Sequence, residues 1–125
     1  MFDAINSRRQ GTGLGTLEFN SVLAGSAGIR SQDMASRNYF SHTTPDGDNF
    51  VSLVIASGID SGVVGEILGR TNGPDSQSVA LVVNAFMESP GHRSHIVTAR
   101  YASMGVSMAV GEGNMKYYTV LFWGP

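Results

Sequence analysis

The chain has 125 residues, 42% of them hydrophobic and 14% charged, with no cysteine and a formal net charge of −2. That length and composition suit one globular domain, residues 1–125, with a core of its own. They exclude a thiol nucleophile, a disulfide scaffold and thiolate ligands, and with no basic run longer than Arg8-Arg9 they argue against a nucleic-acid partner.

In chain order, residues 1–10 place Phe2 and Ile5 on one side and Arg8 and Arg9 near the end, which predicts a short helix closed by Gly11. The glycine-rich stretch 11–15 follows no strand, so it reads as a connector and not as a dinucleotide loop. Asn20 or Ser21 caps a second helix running to about Asn38, with Leu23, Ala27, Met34 and Ala35 near one face and Gly25 and Gly28 leaving room for close packing. Residues 40–47 are non-helical, because Pro45 restricts Thr44 and Asp46-Gly47 marks a turn; His42 therefore sits on a loop. Asp46-Gly47-Asp48-Asn49 lacks the spacing and the distal glutamate of a calcium loop.

Asp48 or Asn49 caps a third helix carrying Phe50, Leu53 and Val54, ended by Gly58. Residues 62–69 read as a strand in which Glu66 interrupts Val63, Val64, Ile67 and Leu68. Asp75 caps a helix with Val79, Val82, Val83 and Phe86 at helical spacing, stopped at Pro90. A turn and one further helical turn cover 89–96, and strands at 104–111 and 116–123 form a hairpin across Glu112-Gly113-Asn114. Helices in the front half with separate strands behind predict an α+β, three-layer arrangement around an antiparallel sheet. The longest apolar run, 79–83, falls far short of the roughly 20 residues of a membrane helix. No leader is visible, and Met1-Phe2-Asp3 is compatible with an initiator methionine on a mature sequence whose leader was removed.

Three segments resemble the signatures of bacterial CAP domains, the SCP-like members of the cysteine-rich secretory protein, antigen 5 and pathogenesis-related 1 superfamily. Asp33-Met34-Ala35-Ser36-Arg37-Asn38-Tyr39-Phe40-Ser41-His42 is similar to the first, Gly65-Glu66 to a Gly-Glu-Asn element, and Ser89-Pro90-Gly91-His92-Arg93 to the second. Met104-Gly105-Val106 followed by 117–123 is similar to the closing hairpin. The resemblance implies an α-β-α sandwich, exported or at the cell surface, with a cleft lined by two histidines and one or two glutamates. His42, Glu66 and His92 fall on three of those positions. For the fourth, Glu88 is one step early and would point about 100° away on a helix, with Phe86 in place of the family's tryptophan. Ile67 replaces an asparagine, and so does His95, which adds an imidazole.

Two neutral imidazoles and a carboxylate are suitable ligands for zinc or another divalent metal, and hydrogen bonds of both histidines to Glu66 and nearby backbone are the other reading; both remain open. The expected function is a non-enzymatic binding module whose cleft, bordered by Ser41, Glu88, Ser89 and His95, takes a metal and a small molecule or protein partner. A metal-dependent hydrolase with Glu66 as general base is the alternative, although no H-E-x-x-H helix and no G-x-S-x-G elbow around Ser41 or Ser89 accompanies it. The resemblance adds lipid or sterol binding as a family-level expectation.

Overall fold

A computed structural model describes all residues, 1–125. Helix α1 spans Phe2–Gly11, strand β1 Glu18–Phe19, α2 Ser21–Arg37, α3 Phe50–Ala56, β2 Val63–Thr71, α4 Ser78–Glu88, α5 Pro90–Ile96, β3 Ser103–Val110 and β4 Lys116–Gly124. The caps are those the side chains favour. Asn20 accepts hydrogen bonds from the Val22 and Leu23 amides to start α2, and Asn49 accepts from the Val51 amide to start α3. Asn38 ends α2 in the left-handed region, at φ 54°. Asp75 does not cap α4; a 3-10 turn at Asp75–Gln77 precedes that helix, and the Asp75 carboxylate pairs with Lys116 Nζ at 2.8 Å.

The sheet has the order β1-β3-β4-β2. β4 is central, antiparallel to β3 on one side and to β2 on the other, with Glu66 opposite Leu121 and Ile67 opposite Val120. The expected antiparallel sheet is formed by β2, β4 and β3, and the two-residue β1 makes it mixed by pairing parallel to β3 at Glu18–Ser103 and Phe19–Met104. Two residues carry no readable period, so this strand left no trace in the sequence pattern.

Alternation along β4 separates the two layers of the core. Tyr118, Val120 and Phe122 face α1, α4 and α5 in a cluster with Ile5, Val82, Phe86 and Ile96, whereas Tyr117, Thr119 and Leu121 face α2 and α3. On the α2 side Gly105 allows an unusually close approach: a Cβ there would overlap the Ala24 backbone nitrogen. The helix therefore lies low over β3 and β4, and its side chains at 23, 27, 30 and 34 reach the sheet. Three of these are apolar. The other is Arg30, buried to 1% exposure.

Candidate functional site

A buried arginine must meet an acceptor, and Arg30 meets one on β2. Its Nε donates to Glu66 Oε2 at 2.8 Å and its Nη2 to Glu66 Oε1 at 3.2 Å, with both side chains essentially inaccessible. Nη1 donates to the Tyr39 hydroxyl at 2.9 Å and Nη2 also to the Ser41 carbonyl at 2.6 Å. Burial acts to lower the Arg30 pKa, but the hydrogen bond and charge of Glu66, with Tyr39, outweigh it and the net movement is upward. The guanidinium thus ties helix α2, the loop after it and strand β2 to one point.

His42 completes the constellation. Its Nδ1 lies 2.8 Å from Glu66 Oε1 while the ring stays 61% exposed. A carboxylate only accepts, so Nδ1 carries a proton, and in the neutral ring the lone pair is on Nε2, directed away from Glu66. Behind Arg30 the polar chain continues outward: Tyr39 donates to Asp33 Oδ2 at 2.5 Å, Asp33 accepts from Arg37, and Arg37 reaches Asp46 at 2.8 Å. The Arg37 hydrogen bond outweighs burial and, with a further contribution from Tyr39, holds the Asp33 carboxyl below its ordinary pKa.

Helix α5 supplies the opposite wall. Pro90 occupies its first turn, and the Ser89 hydroxyl bonds His92 Nδ1 at 2.8 Å, fixing that ring against Phe86, whose centroid is 5.2 Å away. His95 Nδ1 lies 2.8 Å from the Tyr101 hydroxyl, and the two rings are nearly parallel. Gly65 makes this possible, since a Cβ there would overlap the Tyr101 hydroxyl and come within 2.7 Å of His95. His42, Glu66, Ile67, Ser89, Gly91, His92 and His95 together line a cleft of about 270 Å³.

The structure thus brings the three residues expected to converge into one cleft, together with Ser89 and His95, two of the four residues expected to border it. Glu66 is present in a different capacity. Both its oxygens are committed to Arg30 and His42 inside the protein, so it is neither a free ligand nor a base within reach of solvent. Glu88, expected to border the cleft, does not: it is exposed at the end of α4, turned away by its one-residue helical offset. Ser41, expected at the cleft border, does not line it but braces the loop, its hydroxyl accepting from the Thr43 amide at 3.1 Å and its carbonyl accepting from Arg30. Ile67 points away from Glu66 into the α4–α5 core. Arg30 is the residue the sequence reading missed.

Burial, then the charge of His42, lower the His92 pKa, only partly offset by a backbone hydrogen bond with Leu68. Burial, then the charges of His42 and His92, lower that of His95. Both rings are neutral at pH 7, and protonation is harder in the folded state than in the unfolded chain. The unfolded chain therefore takes up more protons as pH falls through about 6.5, and stability drops there until the lowered folded values are passed. Urea unfolding at pH 7.5 and pH 5 measures this: the loss on acidification should shrink in His92→Gln and His95→Gln. An unchanged loss in both variants would assign the effect elsewhere.

The sequence matches the cysteine-rich secretory protein family, CAP, over residues 2–122. It is 33% identical over 101 residues to the uncharacterized protein YkwD of Bacillus subtilis, covering 81% of this chain and 38% of that protein. An extracellular SCP-domain protein from Bacillus anthracis superposes with a TM-score of 0.82 at 25% identity, covering 99% of this chain and 39% of that one. An outer surface protein from Borrelia burgdorferi gives a TM-score of 0.85 at 21% identity, over 98% and 88% of the two chains. The chain thus spans less than two fifths of the length of the curated relatives it matches.

Proposed function

The chain belongs to the CAP family, and from that premise we propose that it is a non-enzymatic binding module of extracellular type, whose ligand enters the cleft between His42 and His92. The observation that carries this reading is the contact of His42 Nδ1 with the buried Glu66 carboxylate. A carboxylate behind one imidazole nitrogen fixes the tautomer and the ring direction, and leaves the other nitrogen as a donor of electrons toward the cleft. Arg30 keeps that carboxylate in place. The descriptions of the Bacillus anthracis and Borrelia proteins as extracellular and outer surface support a location outside the cell.

A divalent ion such as zinc fits these donors as a two-imidazole site. His42 and His92 would hold it, Glu66 would orient His42 from behind, and solvent, a small molecule or a group of a protein partner would fill the remaining positions. No three His, Asp or Glu side chains are placed to share an ion, so the ligand set that included Glu66 is set aside. Once bound, the ion would supply a Lewis-acidic anchor for an oxygen or nitrogen of the ligand.

Zinc titration by calorimetry tests the site. Wild-type protein should bind, His42→Ala and His92→Ala should lose binding, and Glu66→Gln should weaken it by about 10–100-fold. Binding that survives both histidine substitutions ends the metal assignment. A fluorogenic peptide panel should show no turnover, and chelator-sensitive cleavage abolished by Glu66→Gln would put a hydrolase in its place.

A further inference from the structure

The two edges of the sheet differ. At β2 residues 65–69 are buried, and His92 meets the Leu68 backbone. At β3 the neighbouring β1 stops after pairing Phe19 with Met104, and the chain leaves to start α2. The Asn20 amide donates to the Met104 carbonyl at 2.9 Å, so Met104 turns its backbone polar groups toward this edge. By the two-residue period Val106, Met108 and Val110 do the same, with no strand beyond them. Their side chains share the face of Met104, and Met108 and Val110 are 44% and 55% exposed.

Open edges in monomeric proteins are guarded by charge, proline or a bulge. From Gly105 to Gly111 this edge has none of these: the sequence Gly-Val-Ser-Met-Ala-Val-Gly is uncharged, and the ladder with β4 runs unbroken from Ser103 to Val110. A charged strand would lose solvation on docking without meeting an opposite charge, so the occupant is an uncharged one.

We infer that this edge is a self-association surface, on which β3 of a second copy of the chain pairs antiparallel about a two-fold axis at Met108. In that register Met108 faces Met108 of the second copy and Val106 faces its Val110. Each pair exchanges both backbone hydrogen bonds, since all three residues point their amides and carbonyls outward. The exposed Met108 and Val110 side chains are covered by the same pairing. The symmetry also sets α2 beside α2 of the second copy, on the opposite face. Small residues, Ala24, Gly28 and Ala35, are where α2 lies close over Gly105, Ser107 and Gly111 beside this edge. This surface lies across the sheet from the His42 cleft, and it stands whether or not the cleft binds metal.

Sedimentation equilibrium of the 125-residue chain from about 1 to about 500 µM tests it by mass action. Wild type should pass from monomer to dimer, with little change between low and high salt because no charges meet. Met108→Lys should weaken association by at least about tenfold through like charges placed directly opposite, whereas Met108→Leu should keep it. Amide exchange at Val106, Met108 and Val110 should slow as concentration rises. A wild-type chain that stays monomeric throughout overturns the inference, as does a dimer indifferent to Met108→Lys or one in which those amides exchange as in the monomer.

Discussion

Replacing Arg30 by methionine is expected to destabilise the fold by about 3–5 kcal/mol, read from urea unfolding, because it leaves the buried Glu66 carboxyl without its guanidinium partner. The magnitude follows from burial: neither side chain of the pair reaches solvent to any useful extent. The paired change Arg30→Met with Glu66→Met should recover most of the loss, since an apolar pair of similar volume meets no desolvation penalty. If the single and double variants were equally unstable, the ion pair would not be what stabilises this region. Packing of the long arginine stem would then be the cause. A second readout separates the roles: in the double variant the His42 ring loses its carboxylate and should move freely in NMR spectra even where stability is restored.

Phe86→Ala is the other large effect, also about 3–5 kcal/mol, as expected for emptying an aromatic site inside a packed cluster. Phe86 is 2% exposed, packs with Val82, Ile67 and Phe122, and stacks on His92. At roughly 4 °C per kcal/mol for a chain of this size, the melting temperature should fall on the order of 15 °C. The cleft should register the change as well. Burial is the leading cause of the lowered His92 pKa, so water entering the space left by the ring should bring that pKa back toward its ordinary value in a proton NMR titration. A His92 titration identical to wild type would show that the core and the cleft wall are not coupled through this contact.

Much of this was readable because the decisive residues break local patterns. Glu66 interrupts an apolar strand, and Pro90 stops one helix while starting another, which places His92 on the first turn of α5. Arg30 escaped for the opposite reason. It falls on the stripe of Leu23, Ala27 and Met34, where an arginine looks like an interruption of the apolar face, and charged residues are so seldom fully buried that the position gives no cue. The two anomalies, Arg30 on α2 and Glu66 on β2, explain each other only when the helix lies low on the sheet, which depends on Gly105 and not on any pattern within α2. Asp75 met a stronger competitor than the α4 amides in Lys116, a residue 41 positions later and invisible to a local capping rule. Glu88, expected at the cleft border, is carried off it by one residue of helical offset, so angle on the helix outweighs proximity in sequence.

The central place of β4 has a consequence for how the chain is made. The strand that both β2 and β3 pair with comes last in chain order among the four strands of the sheet. Until Lys116–Gly124 emerges, β2 has no neighbour at all and β3 has only the two residues of β1. The helices translated earlier have only part of their floor until then, so the complete core waits for the long-range pairing of β2 with β4, a contact that slows folding and leaves the chain vulnerable while it waits.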